Sequence, residues 1–245
     1  MSELRRKALE IIEQALREGR SKLLEHEALA VAELYGVPVA GYGLARNEDE
    51  AVEAAERIGY PVVLKIVSPD IVHKSDVGGV IVGLEKPEDV KKAYNEIIEN
   101  VKRHAPNARI VGVLVQKMAP KGAVEVIVGG LRDPVFGPTI MFGLGGIFVE
   151  VFRDVSFRVA PFTERDAEEM INEIKASKIL KGYRNLPPRD IKALIKVIMA
   201  AQKLMVENPE IRELDLNPVL SYPDSAITVD ARIIVGREEH SEEHH

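Results

Sequence analysis

The stretch PVVLKIVSPDIVHKSDVGGVIVGL, residues 61–84, reads as a strand, a polar loop and a returning strand. PVVLKIV is too short and too β-branched for a helix and carries no polar alternation, which marks a strand buried on both faces. With a period of two, Val62, Leu64 and Ile66 point one way and Val63, Lys65 and Val67 the other. An ammonium in such a run is costly unless it meets an anion or snorkels to the strand end. The following loop, His73-Lys74-Ser75-Asp76-Val77-Gly78-Gly79, offers an anion site, because paired glycines let backbone amides approach a phosphate closely. A simple turn also uses Gly-Gly, and both readings stand at this point. His73 is either a satisfied loop histidine or, beside a phosphate, a group that can accept a phosphoryl and pass it to ADP.

Working outward, apolar positions at helical spacing predict helices over 3–18 and from Ser21, taken as a cap, to Tyr35, with glycines closing both. Asn47 with Glu50 predicts a capping box for a helix to Ile58, closed by Gly59. Pro87 opens another helix running to about His104. Strands are expected at 109–117, 123–131 and 138–142, with a turn at Arg132-Asp-Pro and a glycine-rich end, FGLGG (142–146). That end, with Glu150, Arg153 and Arg158, is either a second anion-handling loop or a plain glycine turn. Thr163 starts a helix, and Ile191, Leu194, Ile195, Ile198 and Met205 form the inner face of a long one after Pro187-Pro188. Strands occur in adjacent pairs as well as between helices, which favours α+β lobes over a doubly wound parallel sheet.

Two last strands, 213–220 and 226–235, form a hairpin. In ELDLNPVL, Leu214 and Leu216 face one side, so Asp215 and Asn217 face the other. In ITVDARIIV, Ile227 and Val229 are expected on the core side and Asp230 opposite. The turn centres near 223.5, the midpoint of 217 and 230, so hairpin symmetry sets Asn217 against Asp230 with Cβ atoms about 5 Å apart. Two carboxylates and an amide on adjacent strands suit a hard cation such as Mg²⁺, which takes a few protein oxygens and leaves the rest to water and phosphate. A surface hairpin with ordinary polar residues is the alternative.

The composition narrows the classes. The 245 residues carry 33 Lys plus Arg against 39 Asp plus Glu, a formal charge of −6 and a pI near 5.6, which argues against nucleic-acid or anionic-membrane binding as the main role. No apolar run approaches the roughly 18 to 20 residues of a spanning helix, and the charged N-terminus lacks a signal-peptide core, so a cytoplasmic location is expected. The absence of cysteine removes disulfides, thiolate metal sites and thiol nucleophiles. Three glutamines and 29% charged residues fit a heat-adapted composition.

Taken in order, LLEHEALAVAELYGVPVAGYG, PVVLKIVSPDIVHKSDVGGV, VLVQKM, FGLGGIFVEV and ELDLNPV with ITVDARI resemble the β subunits of ADP-forming acetyl-CoA synthetases (acetate–CoA ligases). These belong to the ATP-grasp superfamily and are related to the succinyl-CoA synthetase β subunit. The resemblance runs from about Ser21 to Gly236. It implies an ATP-grasp fold, two α+β lobes holding a nucleotide between them. The divisions expected are an N-terminal helix at 1–20, a small lobe at 21–115, a C-terminal lobe at 116–236 and a solvated tail at 237–245, whose histidines are native or added.

By the same resemblance, Lys65 contacts nucleotide phosphates, with Lys74 in the glycine loop whose tip is Gly78-Gly79. Gln116, Lys117 and Met118 line the adenine pocket and Glu125 approaches the nucleotide. Asn217 and Asp230, with Asp215 close by, hold Mg²⁺, and His73 relays phosphate towards ADP. The implied reaction is acyl-CoA + ADP + phosphate to acid + CoA + ATP, reversibly. It implies as partner a CoA-binding α subunit carrying the principal phosphohistidine, in an α2β2 assembly, with ADP/ATP and phosphate as ligands and neither nucleic acid nor membrane. No G-x-G-x-x-G following a strand is present for CoA. A self-sufficient ATP-grasp carboxylate–amine ligase and a non-catalytic nucleotide-binding regulatory module are the alternatives.

Overall fold

A computed structural model describes residues 1–237, and the side chains of all of these but residues 147 and 148. The helices are α1 (Glu3–Arg17), α2 (Glu25–Leu34), α3 (Glu48–Ile58), α4 (Pro87–His104), α5 (Ile147–Glu150), α6 (Glu164–Glu173), α7 (Ser177–Leu180) and α8 (Ile191–Glu207). The strands are β1 (Tyr42–Ala45), β2 (Val62–Val67), β3 (Val80–Leu84), β4 (Gly112–Lys117), β5 (Val124–Asp133), β6 (Gly137–Leu144), β7 (Val155–Val159), β8 (Ile211–Ser221), β9 (Ala226–Thr228) and β10 (Ala231–Val235). Contacts divide the described residues into two compact units, one of residues 24–26 and 40–121, the other of 1–23, 27–39 and 122–237. This differs from the expected lobes of 21–115 and 116–236. Residues 116 and 117 complete β4 and pair with β2, while the first helix and residues 27–39 pack with the C-terminal segment.

The smaller unit is an antiparallel sheet in the order β1-β4-β2-β3. Val62, Leu64 and Ile66 point into a core closed by Ala51, Ala54 and Ala55 of α3 and Val90, Ala93, Ile97 and Val101 of α4, as the period-two reading requires. Each fully buried Val, Leu or Ile side chain here contributes about 1.5–3 kcal/mol. Asn47 caps α3 through Oδ1, accepting from Glu50 N–H at 2.9 Å. The reciprocal bond of the expected box goes one residue earlier, Glu50 accepting from Arg46 N–H at 2.7 Å.

The larger unit is built on a sheet in the order β10-β8-β5-β6-β7, with β9 also on β8. Among the described residues every pairing between these strands is antiparallel, and with the helices this gives the α+β class. Helix α8 covers one face, close enough that a Cβ on Gly130 would lie 2.9 Å from Met205 Cγ; Leu194, Ile198 and Met205 are buried as expected, and Ile191 and Ile195 half-buried. Helix α1 docks here through Ala8, Ile12 and Ala15. The fully buried Asn208 accepts from Arg5 at 3.1 Å and donates to Tyr35 Oη at 2.9 Å.

Four local expectations change. Ser21 caps nothing: its carbonyl accepts from Val235 N–H at 2.7 Å, and the chain runs along β10 before α2 begins at Glu25. Strand β5 continues through Asp133, whose carboxylate accepts from the amides of Val135 and Phe136, so the turn falls at 134–136. Strand β7 has no counterpart in the sequence reading. Thr228 rather than Ile227 or Val229 is fully buried, because β9 ends there and β10 resumes in the opposite phase. The expected tail lies outside the described residues apart from its first, Arg237.

Candidate functional site

In the smaller unit, Lys65 lies on β2 opposite Val80 and Leu114, on the face away from α3 and α4. Its ammonium donates to Glu25 Oε1 at 2.9 Å, and Lys74 Nζ donates to the other oxygen, Oε2. Glu25, the first residue of α2, has a side chain only 8% exposed, against 16% for Lys65 and 24% for Lys74. Burial alone would push the Glu25 carboxyl up; Lys65 and then Lys74 outweigh it and hold it below the ordinary carboxylate value. The result is one carboxylate shared by two ammonium groups, a cluster with one positive charge left over. Sequence reasoning missed Glu25. It was visible only as an acid in the apolar-rich LLEHEALAV.

The glycine loop begins at the exposed His73 and turns through a 3-10 segment, Lys74–Val77, ending on Gly78 at φ 65°. A Cβ at Gly79 would stand 2.5 Å from Ile66 Cγ2 and 2.9 Å from Lys74 O. One at Gly78 would meet the Asn100 side chain, which donates to Gly78 O at 3.2 Å. Close packing of the loop on β2 and α4 therefore demands both glycines. Gln116 is fully buried. Lys117 donates to Gly59 O at 3.0 Å and Tyr60 O at 2.5 Å, neutralising the C-terminus of α3, and Met118 Sδ accepts from Gly83 N–H at 3.2 Å.

In the larger unit the hairpin register holds. Leu216 pairs with Ala231 and Val219 with Thr228, and between them Asn217 N–H donates to Asp230 O at 3.1 Å. Asn217 and Asp230 thus stand opposite one another, both exposed. Asp215, opposite Arg232, is half-buried; burial raises its pKa, Arg232 lowers it and Glu213 raises it, with a net rise. No three His, Cys, Asp or Glu side chains among the described residues form a metal cluster by themselves. An amide and one or two carboxylates remain, a donor set that fits Mg²⁺ sharing its shell with phosphate and water.

Glu125, exposed on β5, lies under the glycine-rich turn: its carbonyl accepts from Gly145 N–H at 2.8 Å, and a Cβ at Gly145 would be 3.1 Å from its own. At Gly143 a Cβ would be 2.9 Å from Val155. Packing accounts for both glycines. Arg158 sits on β7 in a two-pronged pair with Glu173, which speaks against the anion-handling alternative.

An ATP-grasp domain family matches residues 14–235. The subunit beta of acetate–CoA ligase [ADP-forming] I from Pyrococcus furiosus is 53% identical over 229 residues, 94% of this chain and 98% of that protein. Among solved structures, the dinucleotide-forming acetyl-coenzyme A synthetase 1 of Ca. Korarchaeum cryptofilum, in complex with coenzyme A, Ca-AMPCP and HgCl⁺, is 58% identical with a TM-score of 0.88, covering 94% of this chain and all of that one. A second structure of that protein, with coenzyme A and Mg-AMPPCP and its phosphohistidine segment pointing towards the nucleotide-binding site, is 54% identical at a TM-score of 0.83 over the same coverage. Matched by the family over residues 14–235 and 53% identical across nearly the whole of that subunit, the chain belongs to the ATP-grasp family, among the β subunits of ADP-forming acetate–CoA ligases.

Proposed function

We propose that this chain is the nucleotide-handling β subunit of an ADP-forming acyl-CoA synthetase, which with its partner converts acyl-CoA, ADP and phosphate to acid, CoA and ATP, reversibly. The observation that carries the reading is the pair of ammonium groups, Lys65 and Lys74, gathered beside the glycine turn with a net positive charge. Such a cluster neutralises phosphate oxygens in a site of low dielectric, where positioning and electrostatics do most of the work of phosphoryl transfer. Gln116, Lys117, Met118 and Glu125 belong to the nucleotide's surroundings. Asn217 and Asp230, with Asp215, would hold Mg²⁺, which when bound supplies positive charge against the polyphosphate.

In the transfer, the N–P bond of a phosphohistidine breaks as an O–P bond forms to the terminal oxygen of ADP. His73 is exposed and its ring makes no hydrogen bond among the described residues, which suits an imidazole that takes the phosphoryl and hands it on. The donor comes from a CoA-binding α subunit in an α2β2 assembly. Exposed apolar side chains on neighbouring rungs of one sheet face, Leu131, Phe157 and Val159, support a subunit contact. The test is ATP formation by purified chain with and without the co-purified α subunit, across several acyl-CoAs and both ADP and GDP. Turnover by this chain alone would refute the half-enzyme reading.

A further inference from the structure

The loop after β2 is tied back to that strand by one side chain. Glu25 gives one oxygen to Lys65 at 2.9 Å and the other to Lys74. Lys65 is fixed in the sheet between β3 and β4, whereas Lys74 opens a turn flanked by exposed residues, Val72, His73, Ser75 and Asp76. The foot of the loop has its own anchors, Gly79 N–H to Lys74 O at 2.8 Å and Ile66 N–H to Gly79 O at 2.7 Å. The Lys74 ammonium has only Glu25 among the described residues. Two ammonium groups this close to one point repel each other, and without the carboxylate the looser of them swings into solvent.

We infer that Glu25 is a positioning residue for nucleotide binding: it gathers Lys65 and Lys74 into one phosphate-sized fork and holds the loop at 73–79 in place before any phosphate arrives. The inference rests on the proposal that these lysines bind nucleotide phosphates. It gives a prediction of unusual sign. Removing the Glu25 charge raises the cluster from one net positive charge to two, so simple attraction would tighten ADP. Positioning requires the opposite, since each lysine must then be ordered at the expense of binding.

The experiment compares wild type, Glu25→Gln and Glu25→Asp as full-length chain and as the assembled enzyme. In nucleotide-free chain, hydrogen exchange at the amides of residues 75–79 is expected to quicken at least about tenfold in Glu25→Gln while α4 stays protected. The KM for ADP should rise about tenfold with kcat within about twofold, a split that general destabilisation does not produce. Glu25→Asp, which keeps the charge but is one methylene shorter, should fall between. Should Glu25→Gln not fold, Lys74→Met cuts the same tie from its other end and should loosen the same amides. Unchanged exchange in the loop, or tighter ADP binding by Glu25→Gln, overturns the inference. Failure of wild type to bind Mg-ADP would instead sink the nucleotide reading, and the two are distinguishable because the exchange arm contains no nucleotide.

Discussion

Lys65→Met is the substitution that asks most of the charge cluster. The ammonium lost lies 2.9 Å from Glu25 Oε1, with side chains 16% and 8% exposed. At an effective dielectric of 20 the attraction at that separation is about 6 kcal/mol, an upper figure because both charges were desolvated to make it. Removing one partner of a buried pair costs about 3–5 kcal/mol. Lys74 still serves the second oxygen, so the expected loss at pH 7 is about 2–3 kcal/mol. The pH dependence gives a second reading. In the native chain burial raises the Glu25 pKa, but Lys65 and Lys74 win and leave it lowered. Glu25 therefore adds stability above its unfolded pKa, and that stability is lost as pH falls through the lower folded value. In Lys65→Met the larger of the two lowering influences is gone and the folded pKa climbs above its native position, so the variant's penalty is relieved as acid protonates Glu25. The gap between the proteins should narrow from pH 7 towards pH 4. Guanidinium denaturation followed by circular dichroism measures it, and Glu25→Gln with Lys65→Met should cost at least about 1 kcal/mol less than the sum of the singles. A Lys65→Met loss below about 0.5 kcal/mol that ignores pH would show the cluster to be screened by water and refute the reasoning.

Asp230→Ala should lower ATP formation by the assembled enzyme at least about 100-fold while α–β co-purification is unaffected, since only an exposed side chain is lost; unchanged turnover removes the metal assignment. His73→Ala should abolish the labelled phosphate trapped on this chain during turnover, and full activity in that variant ends the relay role. Gly79→Ala, with its Cβ 2.5 Å from Ile66, should cost about 1–3 kcal/mol in chemical denaturation, whereas Gly83→Ala has open space and costs about 1 kcal/mol through its φ of 73° alone. Asn208→Ala, which strips the buried bonds to Arg5 and Tyr35, should cost about 1–3 kcal/mol and expose α1 first to limited proteolysis.

The elements that could be read from sequence are those whose cause is local. Period two in 62–67, Pro87 at a helix start and Asn47 as a cap each act within a few residues, and each is found where it was expected. The Asn217–Asp230 pairing was legible for the same reason: a short hairpin loop fixes its register by counting. What that counting could not supply was the facing of the returning strand. The break between β9 and β10 reverses the alternation, so Thr228 is buried where Ile227 was expected, although the residue numbers still pair correctly. Strand β7 was missed because VSFRV carries exposed Phe157 and Val159 beside a paired arginine, a pattern that resembles a loop when its neighbours β6 and α6 are not in view. Ser21 failed as a cap because β10, more than 200 residues away, claims the segment for its ladder.

Glu25 marks the boundary of what a pattern can carry. Its partners lie 40 and 49 residues away, and nothing in LLEHEALAV distinguishes a buried acid from a solvated one. The glycine pair shows the converse. Gly78-Gly79 suggested room for a phosphate, yet the spaces their absent side chains leave are filled by Asn100, Ile66 and Lys74 O. A glycine that lets the chain approach itself and one that lets it approach a ligand leave the same letter in the sequence. Substituting either residue will disturb the loop whether or not a nucleotide binds there. The weight of the site therefore rests on the lysines and on the acid that joins them, since only their charges discriminate between a folded turn and one prepared for an anion.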